Sequence, residues 1–302
     1  MHDGELALET EVAARLIARR FPELRREELR PVSSTGTVNR IIRVGDGLVA
    51  RFPRLAASEP TLAREAAALD ELAAASPFPA PRSYGIAAAS EEFDSAWAVQ
   101  SWIDGEPPGP VRAAASEAFA HDLVVLIRAL RAVDVRGRVF DGNGRGGRLG
   151  DHDEWVSECL SRSAHLIDVA RTAKLWAALC ALPPADAPLM CHRDLTPFNL
   201  LVIERDDEVR LAGVLDGGDF GPADPALDLV AAWHLLDAPT RRLVRDGVSA
   251  GEAEWQRGAG WALQQALGLG WYYEKSNPQM SALGISTVRR VLADPELSML
   301  VG

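Results

Sequence analysis

His192-Arg193-Asp194-Leu195-Thr196-Pro197-Phe198-Asn199, then the apolar segments 200–203 and 209–215, then Asp216-Gly217-Gly218-Asp219, form the stretch on which the reading of this chain turns. Asp194 offers a carboxylate that can accept a proton. Asn199, five positions later, offers an amide oxygen, and Asp216 offers a second carboxylate directly behind an apolar strand pattern. Either residue type alone in a polar loop is an ordinary turn or cap residue. Together they make a fuller set: a base for an attacking hydroxyl and two oxygen ligands for Mg²⁺, the equipment of phosphoryl transfer. The two apolar segments predict a hairpin that joins the parts of this set.

Working outward, the chain before this stretch falls into two characters. Residues 5–20 carry Leu6, Leu8, Val12, Leu16 and Ile17 at helical spacing, ending at Phe21-Pro22. Short β-prone segments follow at 29–32, 40–44 and 48–52, with Gly45-Asp46-Gly47 suited to a tight hairpin turn. A helix is expected over 60–75, then strands over 83–86 and 96–103. Beyond Asp104-Gly105-Glu106-Pro107-Pro108-Gly109-Pro110 the pattern turns helical, with helices expected near 114–133, 152–168, 172–182, 225–237, 252–274 and 280–293. The fold class expected is α+β, with an N-terminal antiparallel β lobe over 1–103 and a larger helical lobe over 104–302.

Composition narrows the function classes. The 302 residues are 47% hydrophobic and 25% charged, the balance of a chain with a real core. No apolar run reaches membrane-spanning length. A net charge of −11 is the wrong sign for a nucleic-acid binder. Cys159, Cys180 and Cys191 form no C-x-x-C pair, so zinc and disulfide frameworks are not indicated. The acidic start of the chain is unlike a signal peptide, so a cytoplasmic location is expected, as a monomer or homodimer without nucleic-acid or membrane partners.

His192 to Asn199 matches H-R-D-L-x-x-x-N, the catalytic-loop pattern of protein kinases. With Val214-Leu215-Asp216-Gly217-Gly218-Asp219 and Gly221-Pro222-Ala223-Asp224-Pro225-Ala226-Leu227-Asp228-Leu229, the chain resembles the aminoglycoside phosphotransferase family, which includes aminoglycoside and macrolide kinases. The resemblance implies a two-lobed kinase-like fold, with ATP or GTP as co-substrate and a small-molecule acceptor such as an antibiotic. It also implies Asp194 as catalytic base and Mg²⁺ on Asn199 and Asp216. Gly217-Gly218 stands where protein kinases carry Phe-Gly, and no A-P-E element follows, which favours a small-molecule kinase. A kinase of a sugar or amino alcohol is the alternative within the fold. A nucleotide-binding pseudokinase is the alternative of another class, against which the intact Asp194, Asn199 and Asp216 weigh.

The resemblance also places the nucleotide. Ser33-Ser34-Thr35-Gly36-Thr37-Val38-Asn39 resembles a nucleotide-positioning loop, with Ser34, Gly36 and Thr37 the residues of interest. Kinases pair a strand lysine with a helix glutamate. The only lysines here are Lys174 and Lys275, so Arg51 stands at the lysine position, with Glu65 as its expected partner. Ser101 and Ile103 are the hinge positions whose backbone is expected to meet the nucleotide base. Gly142-Asn143-Gly144-Arg145-Gly146-Gly147 formally matches a dinucleotide fingerprint but lacks the preceding strand. It reads as a loop bordering the substrate cleft, and His192 as a brace for the backbone. For the acceptor, the aromatic-rich segment near the end of the chain offers Trp271, Tyr272 and Glu274, with core packing between helices the preferred use of the aromatics.

Overall fold

Alternation along Leu48-Val49-Ala50-Arg51-Phe52 organises the first part of the molecule. Ala50 and Phe52 are fully buried, while Arg51 between them points to the opposite face of its strand. The computed structural model describes residues 5–32, 38–206 and 208–301. By packing, the chain divides into two units. The first comprises the chain up to Ala74, Pro79–Asp104 and, from far along the sequence, Asp216–Asp219. The second comprises Ala75–Phe78, Gly105–Leu215 and the chain from Phe220 onward.

In the first unit, α1 (Thr10–Arg20) precedes β1 (Leu29–Val32), β2 (Asn39–Val44) and β3 (Leu48–Pro53); α2 (Glu59–Ala75) follows, then β4 (Ser83–Ala87) and β5 (Trp97–Ser101). The strands form one antiparallel sheet in the order β1-β2-β3-β5-β4. Phe52 stacks on Trp97 at 4.7 Å, and Phe21 meets Trp97 edge-on at 5.8 Å. These rings close a core with Ala13, Leu16 and Ile17 of α1.

In the second unit, α3 (Pro110–Ala113), α4 (Glu117–Arg131), α5 (Asp153–Arg162) and α6 (Val169–Cys180) lead to β6 (Leu189–Cys191). The hairpin β7 (Leu200–Arg205) and β8 (Glu208–Val214) follows, then β9 (Gly221–Ala223), which pairs antiparallel with β6. Helices α7 (Val230–Leu235), α8 (Ala238–Gly247), α9 (Glu252–Tyr272), α10 (Pro278–Leu292) and α11 (Pro295–Met299) complete it. The central helix, α9, packs on α5, α6, α7 and α10. Among the described residues no helix is long and apolar enough to cross a membrane.

The expected elements need several corrections. The first helix begins at Thr10 rather than residue 5, and 152–168 contracts to Asp153–Arg162. Residues 225–237 split into a 3₁₀ turn, Pro225–Leu229, and α7. The helix α8 was not expected at all. Its inward residues are Thr240, Arg241 and Val244, so no apolar period announces it. Arg241 stays inside by pairing with Asp294 at 3.0 Å and lying 4.6 Å over the Trp233 ring. The strands β6 and β9, three residues each, are too short to show a period.

Gly217 explains a departure from the protein-kinase pattern. A Cβ there would lie 2.1 Å from Leu72 Cδ2 of α2, and one on Gly218 would lie 3.2 Å from Glu65 Cβ. The helix passes too close for Phe to stand after Asp216. Gly217→Phe should therefore destabilise the protein by about 1–3 kcal/mol through overpacking. Adding Leu72→Ala should recover part of that loss, read from denaturant melts of the single and double variants.

His234, wholly buried in α7, lies 3.0 Å from Thr287 Oγ1 and 3.1 Å from Gln265 Oε1. Burial pushes its pKa down to about 4, so the folded state holds the ring neutral. Its contribution to stability is complete above the ordinary value near 6.5 and is lost as pH falls toward 4. Between pH 7 and pH 5 the loss should be about 2 kcal/mol. His234→Gln should remove that component of the pH slope, as measured by urea melts across the range.

Candidate active site

Strand β6 ends at Cys191, and the two backbone N–H groups that follow would be orphaned inside the protein without a partner. Asp228 supplies it: Oδ2 accepts from His192 N at 2.9 Å and Oδ1 from Arg193 N at 3.1 Å. Asp228 is itself fully buried. Burial raises its pKa, while the nearby His192 and the two backbone N–H groups pull it down. Arg193 then takes φ +73°, a left-handed turn that redirects the chain into Asp194. His192 is a brace on both sides. Asp194 N donates to its Nδ1 at 3.3 Å, which leaves the ring proton on Nε2 to donate to Leu215 O at 2.8 Å.

Asn199 completes the loop. Its side-chain nitrogen Nδ2 donates to Asp194 O at 2.9 Å and to Asp194 Oδ2 at 2.8 Å, and its backbone carbonyl accepts from Leu215 N at 2.7 Å. The side chain is nearly buried. Because the nitrogen holds Asp194, Asn199 Oδ1 is left as an oxygen ligand of the kind Mg²⁺ prefers. Among the described residues no group of three or more His, Cys, Asp and Glu side chains is arranged to hold a metal ion. A cation that keeps its waters and phosphate ligands needs only one or two protein oxygens, so the donors present fit such an ion.

The other oxygen of Asp194 is also engaged. Arg145, from the glycine-rich run, forms an ion pair with Asp194 Oδ1. The Asp141–Gly147 loop that carries it is latched in place. The Arg193 guanidinium lies 4.9 Å over the Phe140 ring, donates from Nε to Arg145 O at 3.2 Å and from Nη2 to Asn143 O, and pairs with Asp141 at 3.3 Å. At the far end, Asp224 N donates to Gly146 O at 2.8 Å. Asp224 is buried and pairs through both oxygens with Arg257 of α9, at 2.8 and 3.0 Å. Gly146 has φ +134°, and a Cβ there would meet Ala223 Cβ at 2.8 Å. A glycine is required at that contact.

In the first unit, Arg51 Nη2 lies 2.9 Å from Asp216 Oδ1, and Nη1 donates to Gln100 Oε1 at 3.4 Å. The ion pair of Arg51 is thus with Asp216, where Glu65 was expected. Glu65 is near enough to sense both. Its carboxyl is pushed above the usual range first by the protein packed around it and further by Asp216 and Asp219. Arg51 opposes the rise, and the side chain keeps contact with solvent. Asp216 itself adopts φ +59°. Ser101 is tied in at the end of β5, its N–H donating to Arg82 O at 2.9 Å and its hydroxyl accepting from Arg82 N at 2.9 Å. Ile103 takes no backbone hydrogen bond among the described residues. Ser34, Gly36 and Thr37 lie outside the described residues.

The aromatic group forms a separate patch. Trp271 lies beneath the Arg162 guanidinium at 4.6 Å and 6.4 Å from Trp155, Tyr272 is exposed, and Glu274 pairs with His165 at 3.0 Å. Trp271 and Glu274 make these contacts within the patch and not with Asp194. Instead α9 reaches the loop through Arg257 and Trp261, whose Nε1 donates to Asp224 Oδ2 at 3.3 Å.

Residues 28–261 match the model of the phosphotransferase enzyme family, APH. The chain belongs to that family. The phosphotransferase is similar in structure to aminoglycoside 2'-phosphotransferase-IIIa in its GDP complex, at 17% identity over 95% of this chain and 99% of that one, TM-score 0.69. It is similar also to APH(2")-IIa in a streptomycin–ATP ternary complex, at 16% identity over 93% and 95%, TM-score 0.61. The macrolide 2'-phosphotransferase MphH from Brachybacterium faecium shares 19% identity over 93% and 98%, TM-score 0.58. No curated protein matches the chain. At such identities the likeness is one of fold, the kinase-like α+β architecture that the sequence led us to expect.

The phosphotransferase hangs its loop on one carboxylate, which makes a test possible. Asp228→Asn keeps one acceptor but turns an amide donor toward the second N–H. Phosphotransfer should fall by about 10²-fold, the cost expected when a reacting group shifts by about an ångström. Stability should fall by about 1–3 kcal/mol, as for an unsatisfied buried group. Turnover and melting measured on the same preparation check both.

Proposed function

We propose that this phosphotransferase moves the γ-phosphate of ATP or GTP to a hydroxyl of a small molecule. The observation that carries the reading is the fixed pair of Asp194 and Asn199. The amide orients the carboxylate from one side, and the Asp228-pinned turn sets its backbone. Asp194 would orient the acceptor hydroxyl and take its proton. Asn199 and Asp216 would hold Mg²⁺, which when bound neutralises charge on the transferring phosphates. Arg51 is read as the residue that positions nucleotide phosphates, with Glu65 beside it. Ser34, Gly36 and Thr37 would supply the phosphate loop, and Ser101 and Ile103 the base contacts.

For the acceptor, aminoglycoside and macrolide antibiotics are the first classes to test, since similar structures carry those names. Trp271, Tyr272 and Glu274 would contact that acceptor away from its reacting hydroxyl, since they form a patch apart from Asp194. Of the alternative, a kinase of a sugar or amino alcohol, the sugar is favoured by one observation: a guanidinium already occupies Asp194. The decisive experiment is phosphate transfer from ATP and from GTP to a panel of aminoglycosides, macrolides and neutral sugars, with wild type and Asp194→Ala. The variant should lose about 10²–10⁴-fold in turnover while nucleotide affinity changes by no more than about 3-fold, because Asp194 acts on the hydroxyl and not on the nucleotide. Near-wild-type turnover in the variant would remove Asp194 from the mechanism. Nucleotide binding with no transfer in the wild type would indicate a pseudokinase.

A further inference from the structure

Both oxygens of Asp194 are spoken for, one by an amide and one by a guanidinium. Asn199 Nδ2 donates to Oδ2 at 2.8 Å, and Arg145 pairs with Oδ1. A hydroxyl that approaches this carboxylate must share Oδ1 with Arg145 or replace it. The cation is not a stray surface side chain. Its backbone carbonyl is held by Arg193, its neighbour Gly146 by Asp224, and Asp224 by Arg257 in the buried interior. Arg145 is therefore delivered to Asp194 by a chain of contacts that starts in α9.

The charges around it balance pair by pair. Asp194 faces Arg145, Asp141 faces Arg193 and Asp224 faces Arg257, while Asp228 is consumed by two backbone N–H groups. Among these carboxylates each already has its cation or donor. An acceptor bringing its own ammonium next to the reacting hydroxyl would find none of these four carboxylates unpaired, and would stand close to the positive charge of Arg145. Like charges at such distances in a partly desolvated site repel strongly. A neutral hydroxyl, or one beside a carboxylate, meets no such barrier and can accept a hydrogen bond from the guanidinium.

We infer that Arg145 is a specificity-determining residue, which admits acceptors whose reacting hydroxyl has no ammonium neighbour and rejects amino sugars and amino alcohols. The inference rests on reading Asp194 as the group that receives the acceptor hydroxyl. Kanamycin serves as a polycationic probe, its binding measured by calorimetry on wild type, Arg145→Gln, Arg145→Lys and Arg145→Gln/Asp194→Asn. Arg145→Gln should bind kanamycin at least about tenfold more tightly than wild type, since it exposes the carboxylate and removes the repelling charge. Arg145→Lys, which keeps a cation, should stay within about 3-fold of wild type, which separates charge from any structural effect of the substitution. The gain should vanish in the double variant and with per-N-acetylated kanamycin. Equal binding by wild type and Arg145→Gln, binding by neither, or wild-type phosphorylation of kanamycin as efficient as that of Arg145→Gln would overturn it. Failure of the underlying reading is seen separately, as nucleotide turnover that survives Asp194→Ala.

Discussion

A single buried carboxylate supports the turn on which the candidate site is built. Asp228 sits in a 3₁₀ turn, wholly shielded from bulk solvent, and it is tolerable there because two backbone N–H groups point at it. The exchange is mutual: the N–H groups at the end of β6 have no strand partner, and among the described residues no cation pairs with the carboxylate. Remove either side and the other becomes an unpaired polar group in the interior, which costs more than the bond itself contributes. The left-handed Arg193, the His192 brace and the direction of Asp194 all follow from that closure.

A second constraint comes from crowding. In the first unit α2 lies so close to Asp216–Asp219 that only glycine fits beside Leu72. Asp216 is thereby held at a positive φ, with its carboxylate against Arg51 on β3. Strand alternation is what turns Arg51 away from the Phe52 core and toward this acid. A loop that carries a large residue after its aspartate in protein kinases is here reduced to backbone.

Much of this was legible in the sequence, for reasons that differ residue by residue. The strands of the first unit show because short β-prone runs stand beside strong turn signals. Asp194 and Asn199 show because five positions on one short loop leave them little choice but to meet. Asp224 and Asp228 stood in the quoted motif, yet nothing in their spacing tells which would hold a backbone and which an arginine. Arg145 was hidden by its neighbours, since a run of glycines reads as loose chain, and the contacts that fix it come from Phe140, Arg193 and Asp224. The partner of Arg51 was misjudged because Asp216 lies 165 positions away. Helix α8 escaped because its inward face carries an arginine, an arrangement that periodicity counts as exposed.

The reliance on guanidinium groups has a chemical consequence. Arg51, Arg145, Arg193 and Arg257 make every ion pair described around the two acidic centres, and neither of the chain's lysines takes part. A guanidinium lacks the nucleophilic amine that acetyl donors, aldehydes and activated esters attack. Lysine acylation, whether by a cellular modifying enzyme or by an electrophilic inhibitor built to capture a strand lysine, finds no handle among these groups. Arginine-selective dicarbonyl reagents are the chemistry suited to reach them.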